Sequence, residues 1–441
     1  MRNRVLSSVV RLSALALASV GMTAAGDLRL LDAVKHRDDK AVESLVRERA
    51  GIDSRQPDGA TALSWAAYLD DRHAAELILA AGADVNVADE YGETPLTLAC
   101  ANGDGALVEK LLKSGANANA ARWDGEDALM IAAGAGSVDA VKSLVAHGAK
   151  VNEPEPRRGQ TALMWAAAEG HPAVVAALLA LGADVKAKSR AGFTPLVFAA
   201  VKNDGQSIQY LVKAGADPNY TLPSGNQVLQ VATSYKSTKA ATALVEGGAD
   251  PNIADATRNT PLHTAAALGD PDLARALLRK GADPNARTAP TPPGRGGRRG
   301  PAGELTPLHV AARGNHEEVM RVLVEGGADP KLMAQGDQTL LMSAAGSGHV
   351  DVVKYAYQLD PRVAAVTDTG STVMHFAVSG TAAFSTQEEI CEVVKFLAEK
   401  GAQLDARDSA GRTPMTTAGR GGLAVDKIVA LLNGLIAAKR P

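Results

Sequence analysis

The chain has 441 residues, of which 22% are charged and only 3% aromatic, with 49 acidic against 46 basic side chains and a formal net charge of −3. That balance gives no support to nucleic-acid binding. So few aromatics argue against one large compact core and for thin layers filled by Ala, Leu and Val.

Residues 1–25 read as a secretory signal peptide. Arg2, Arg4 and Arg11 precede an apolar run from Leu12 to Met22, no acid occurs before Asp27, and Thr23-Ala24-Ala25 supplies small residues before Gly26. The run falls short of the about 20 apolar residues that a spanning helix needs. The expectation is therefore cleavage and export, with no stable membrane span afterwards. The Ala-, Gly- and Arg-heavy composition suggests a bacterial source, hence a periplasmic or secreted protein. An inner-membrane protein anchored by its uncleaved leader is one alternative, and a cytosolic protein with a non-cleaved leader is another. No cysteine follows the leader to take a lipid, and its removal leaves 43 basic against 49 acidic side chains, a net charge of −6.

Beyond the leader one string recurs. Thr306-Pro307-Leu308-His309-Val310-Ala311-Ala312 is nearly matched by Thr260-Pro261-Leu262-His263-Thr264-Ala265-Ala266, and in part by Thr94-Pro95-Leu96, Thr194-Pro195-Leu196 and Thr413-Pro414-Met415. Looser copies open at Thr61, Asp127, Thr161, Gln227, Thr339 and Thr372. Successive starts lie 33 or 34 residues apart, except for 46 after Thr260 and 41 after Thr372. A tail recurs in step, as in Gly82-Ala83-Asp84-Val85-Asn86, Gly215-Ala216-Asp217-Pro218-Asn219, Gly248-Ala249-Asp250-Pro251-Asn252 and Gly281-Ala282-Asp283-Pro284-Asn285. A fixed period of about 33 predicts a stacked array.

Head, tail and period together resemble the ankyrin repeat, over roughly residues 27–438. The resemblance implies an all-α repeat solenoid of about twelve helix-turn-helix repeats with β-hairpin or loop fingers. It also implies protein binding on a concave surface rather than catalysis. Residues 26–441 then form one repeat domain, with a polar capping repeat at 27–58 and a C-terminal cap at 413–438. In the fullest copies Thr opens the first helix, Pro takes the first helical position where its missing N–H costs nothing, and Leu with the Ala pair makes the apolar face. Asp127-Ala128 replaces Thr-Pro in its repeat, whose finger Glu153-Pro154-Glu155-Pro156-Arg157-Arg158-Gly159 is one residue longer. The repeat at Gln227 lacks Thr, Pro and His and is expected to be locally weak.

Two insertions interrupt the period. The stretch 287–304 carries 13 extra residues rich in Pro, Gly and Arg, a composition that predicts a disordered, basic loop on the finger side. Ser379–Gln387 carries eight extra residues and is expected to lengthen the turn between two helices.

Titratable groups recur once per layer instead of clustering. His263, His309 and His375 hold the fourth position of the head, where the resemblance implies bonding to backbone. His171, His316 and His349 hold the turn between helices, and His36, His73 and His147 fall on exposed faces. Asp84, Asp184, Asp217, Asp250, Asp283 and Asp329 are equivalent tail residues, each expected to cap its own turn. A zinc site needs about four converging ligands. No such set, no P-loop, no Gly-x-Ser-x-Gly elbow and no Cys-x-x-Cys pair is found, so no catalytic, cofactor or metal residue is assigned. Cys100 and Cys391 lie too many layers apart to pair, and both read as core fillers.

By resemblance, the contact surface combines finger tips with the exposed side of the first helices. The candidates are Tyr91, Trp123, Arg157, Arg158, Arg190, Tyr220 and Arg258 from fingers, and Tyr68, Asn102, Glu169, Lys202, Tyr235, Leu268 and Arg313 from first helices. Trp65 and Trp165 sit before the Ala pair and are expected to be structural, whereas Trp123 lies where the repeat asks for no aromatic. The function expected is a monomeric, non-enzymatic scaffold for a protein partner in an exported compartment. Two rival readings are a recruitment or regulatory subunit of a periplasmic enzyme and an array with an acquired catalytic site. A third is a structural spacer.

Overall fold

The computed structural model describes residues 27–292, 303–379, 385–418 and 425–438. The leader and the middle of the basic insertion lie outside the described residues. Among the described residues twelve helix pairs follow one another. The first four are Arg29–Lys35 with Asp39–Arg47, Ala62–Tyr68 with Arg72–Ala80, Pro95–Asn102 with Gly105–Lys113, and Ala128–Ala135 with Val138–Ala146. The next four are Ala162–Glu169 with Pro172–Ala180, Pro195–Lys202 with Gly205–Lys213, Val228–Ser234 with Thr238–Glu246, and Pro261–Leu268 with Pro271–Arg279. The last are Pro307–Arg313 with Glu317–Glu325, Leu340–Ala345 with Val350–Leu359, Val373–Ala377 with Gln387–Glu399, and Pro414–Thr417 with Asp426–Ala438. First helices stack on first helices and second on second, each layer touching its neighbours. This is the all-α solenoid expected from the period.

The head of the repeat starts each first helix by satisfying the orphan N–H groups of its first turn. Thr94 accepts from the Thr97 amide at 3.2 Å, and Thr97 Oγ1 accepts from the Thr94 amide at 2.8 Å. Asp127 does the work of Thr, accepting from the Met130 amide at 2.8 Å. His263 accepts the Thr260 amide on Nδ1 at 3.2 Å and its Nε2 lies 2.9 Å from the Leu305 carbonyl, so the imidazole ties one layer to the next. His375 repeats this with Thr372 at 3.1 Å and the Arg412 carbonyl at 3.0 Å. The degenerate repeat keeps its helix because Gln230 Oε1 stands in for the histidine, accepting from the Gln227 amide at 2.8 Å. Thr161 and Thr194 face Met164 and Val197 at that position, and their hydroxyls are buried without a partner.

Leu63, Leu96, Leu129, Leu163, Leu196, Leu229, Leu262 and Leu308 are all at most 1% exposed. The Ala pairs beside them let neighbouring first helices close up. At the N-terminal cap Leu30, Leu31 and Val34 are buried while Arg29 and Asp32 face solvent.

Tails build a second ladder that spans layers. In each of the six tails named above, the Asp carboxylate accepts the amide two residues on, at 2.8–3.0 Å. The tail Asn then reaches the next layer. Asn219 donates to the Gly248 carbonyl at 3.1 Å and accepts from the Asp250 amide at 2.8 Å. Asn86, Asn119, Asn152, Asn252 and Asn285 do the same with Gly115, Gly148, Gly182, Gly281 and Gly327. The rung is lost where another residue takes the Asn position, as Lys186 and Lys331 do. Replacing Lys186 by Asn is expected to raise stability by about 1 kcal/mol, the net worth of an added hydrogen bond. A urea midpoint unchanged from wild type would show that the rung contributes nothing there.

Both insertions are better anchored than the sequence suggests. The finger hosting 287–304 closes at its base with Thr288 N–H to Leu305 O at 3.1 Å, as an ordinary finger does. The Gln335 amide clamps the Thr291 backbone, accepting at 2.7 Å and donating at 3.0 Å. Residues 287–292 and 303–304 are thus held, which corrects the expectation of disorder across the whole stretch. Residues 380–384 of the second insertion lie outside the described residues, and its far end adds to a helix. Its helix Gln387–Glu399 has 13 residues where most second helices have nine. Thr386 and Glu389 cap the added turn reciprocally. Gln387 Oε1 then accepts the Lys427 amide at 3.1 Å and Glu388 pairs with the Lys427 ammonium, so the added turn fastens the last helix. Among the described residues no helix is long and apolar enough to cross a membrane.

Candidate functional site

The fingers share one closure. Asp89 N–H donates to Glu93 O, Ser189 to Phe193 O and Asp408 to Arg412 O, all at 2.9–3.0 Å. Where a finger opens on Asp, that residue accepts the returning amides on its side chain. Asp89 Oδ1 takes the Tyr91 and Glu93 amides at 2.9 and 2.8 Å, and Asp408 and Asp255 act alike. Adjacent fingers are then linked tip to tip by backbone. Glu90 N–H donates to Asp58 O at 2.8 Å, Trp123 to Tyr91 O at 3.0 Å and Arg190 to Arg158 O at 2.7 Å.

Proline interrupts that chain twice, since it has no N–H to donate. Pro156 and Pro223 stand where Trp123 and Arg190 donate in their own fingers. Each instead packs on a glycine of the preceding finger. A Cβ at Gly125 (φ +88°) would lie 2.2 Å from Pro156, and one at Gly192 (φ +75°) 2.6 Å from Pro223. Only glycine serves at both places, for the left-handed backbone and for the space.

The longer finger of the repeat that opens at Asp127 is organised by Glu155. Its carboxylate, 5% exposed, accepts the amides of Arg157, Arg158 and Gln160 at 2.6, 2.7 and 3.1 Å. Glu stands where the fingers at Asp89, Asp255 and Asp408 have Asp, and its additional methylene spans the additional residue. That residue is Arg157. Its guanidinium lies 4.5 Å from the centroid of the Trp123 ring on the preceding finger, a cation–π contact. Trp123 is nonetheless 64% exposed and Tyr91 beside it 50%. Trp65 and Trp165 are half-buried among the layers. Trp65 donates to Gln56 Oε1 at 2.9 Å.

The other candidate residues divide. Arg158, Arg190 and Arg258 are exposed, with no carboxylate within salt-bridge distance among the described residues. Tyr235 is 65% exposed on its first helix. Tyr220 is engaged: its hydroxyl donates to the Gly192 carbonyl at 2.7 Å, bracing one finger against the last. Asn102 spends its amide on the Ala67 and Tyr68 carbonyls of the previous layer, at 2.9 and 3.0 Å. Glu169 and Lys202 pair across layers at 3.8 Å. Tyr68 stacks edge-on against Trp65, centroids 5.5 Å apart. Leu268 and Arg313 are half-buried at the ends of their helices. Of the exposed aromatics and unpaired arginines among the candidates, Tyr91, Trp123, Arg157, Arg158 and Arg190 share adjacent fingers, whereas Tyr235 and Arg258 stand further along the stack. One further arginine sits in that row: Arg122 is 19% exposed and pairs with Glu93 at 2.6 Å and Glu126 at 3.3 Å, holding its finger in place.

Among the described residues no three of His, Cys, Asp and Glu come together as metal ligands would. Both cysteines are free. Burial raises both thiols, and at Cys100, which is fully buried, it pushes the thiol well above its ordinary range and keeps it protonated.

Family models described as ankyrin repeats match residues 30–122, 99–189, 196–288 and 298–365, and a second such model matches 262–324. With more than half of its length matched, the chain belongs to the ankyrin repeat family, a class of modules that generally mediate protein–protein interaction. Among solved structures it is similar to the human ASB11 ankyrin repeat domain, at 26% identity and a TM-score of 0.46, over 50% of this chain and 98% of that one. No curated protein matches it.

Proposed function

We propose that this protein is a non-enzymatic scaffold that holds a protein partner against its finger row and the exposed side of its first helices, in an exported compartment. One observation carries the reading. Trp123, the residue type that dominates interface energetics, is 64% exposed on a finger whose closure needs no aromatic. The basic leader with its short apolar run supports export to the periplasm or beyond.

A pull-down from the native exported fraction tests it. The bait is the wild-type chain beside a folded Trp123→Ala, Arg157→Glu, Arg190→Glu variant. A protein held by wild type and lost by the variant is expected. Retention by both, or by neither, would remove the finger row as the contact surface and favour a structural spacer.

A further inference from the structure

We infer that the row Trp123, Arg157, Arg158 and Arg190 takes an acidic peptide segment bearing a large apolar or aromatic side chain. The inference rests on the scaffold reading and names the chemistry of its partner.

Charge complementarity points to it. The chain as a whole is acidic, at −3. Elsewhere its arginines are mostly paired: Arg72 with Asp104, Arg122 with Glu93, Arg275 with Glu318, Arg362 with Asp360 and Arg412 with Asp408. Arg157, Arg158 and Arg190 have no such carboxylate among the described residues, although all three are exposed on adjacent fingers. Their positions are fixed from below. Glu155 pins the Arg157 and Arg158 amides, the Arg190 amide bonds Arg158 O at 2.7 Å, and the Arg190 side chain lies over Gly159. Guanidinium groups rooted on a fixed backbone can bind carboxylates two oxygens at a time, and their planar fork limits the freedom lost. The exposed Trp123 ring, flanked by Tyr91, adds an apolar platform at one end of the cationic row.

A nucleic acid fits less well. Glu90, Asp124, Glu126 and Glu153 share these fingers. Non-specific binding of a phosphate backbone needs many neutralised phosphates, and three unpaired arginines supply few.

The test pans a phage-displayed library of random twelve-residue peptides on the full chain, at about 150 mM salt where the Debye length is about 8 Å. The counter-bait is an Arg158→Glu, Arg190→Glu variant, verified as folded by circular dichroism. An Arg158→Ala, Arg190→Ala variant replaces it if charge reversal impairs folding. Peptides retained only by wild type are expected to be enriched in Asp and Glu by about threefold, and to lose about tenfold in affinity on Trp123→Ala, as an anchor residue should. Peptides that depend on the face but lack an acidic excess would overturn the inference and leave the scaffold reading standing. If no peptide distinguishes the two baits, both fall together. Displacement of the captured peptides by a twelve-nucleotide single strand would mark a polyanion site and overturn the peptide assignment.

Discussion

Replacing Leu308 by alanine is expected to destabilise the protein by about 2–5 kcal/mol, the range for emptying a buried leucine site. Leu308 is 1% exposed on the helix Pro307–Arg313, which packs between the first helices of the layers on either side. In a solenoid such a loss falls on one layer and its two interfaces, not on a global core. At the tail of this layer Lys331 takes the Asn position, and Arg362 of the next layer donates to its carbonyl at 2.9 Å in place of an Asn rung. The substitution is therefore expected to split unfolding in two. All three tryptophans, Trp65, Trp123 and Trp165, lie in the N-terminal half. In urea, the circular dichroism transition of the variant should move to lower concentration while the tryptophan fluorescence transition stays near that of wild type. Coincident transitions, or a curve unshifted by both probes, would show that Leu308 does not support the stack in this way.

The architecture was legible because a solenoid writes its contacts locally. Thr-Pro-Leu-His starts a helix wherever it occurs, and the tail Asp caps its own turn two residues on. What the sequence hid are bonds between residues about 31 positions apart. The Asn rungs, the Tyr220 brace and the Asn102 bridge all join neighbouring layers, and a single repeat shows no sign of them. This is also why the candidate surface narrowed. Tyr220, Asn102, Glu169 and Lys202 stand at positions that face outward in one repeat, yet each is engaged by the adjacent one. Glu155 did leave a signal: Glu in place of Asp, in a finger longer by one residue. Its meaning needs the three amides that converge on it.

Acid is expected to loosen the layers around His309 first. The ring is buried, with Nδ1 2.8 Å from Thr306 Oγ1 and Nε2 lacking a partner in good hydrogen-bond geometry. Burial, reinforced by the charges of Arg287 and Arg313, pulls its pKa down to about 4 in the folded chain. In the unfolded chain it titrates near 6.5. As pH falls from about 6.5 to about 4 the unfolded state takes up a proton that the folded state refuses, so stability falls across that window. At about 1.4 kcal/mol per pH unit the full loss is about 3 kcal/mol. His263 is shifted the same way, chiefly by burial, and adds to the effect. Asp127 acts with the opposite sign. Burial raises its carboxyl to about 6, against the pull of the Met130 and Leu129 amides. Between about 6 and about 4 the folded state holds the extra proton there, and acid favours its layer. Hydrogen exchange at pH 7 and pH 4.5 should thus show protection falling around residues 260–345 and holding around 127–146, after correction for intrinsic rates. Methionine already fills the equivalent position in Met130, Met164 and Met342. A His309→Met variant is therefore expected to fold and to lose most of the acid-dependent weakening of its own layer. The same acid dependence in that variant would place its origin elsewhere.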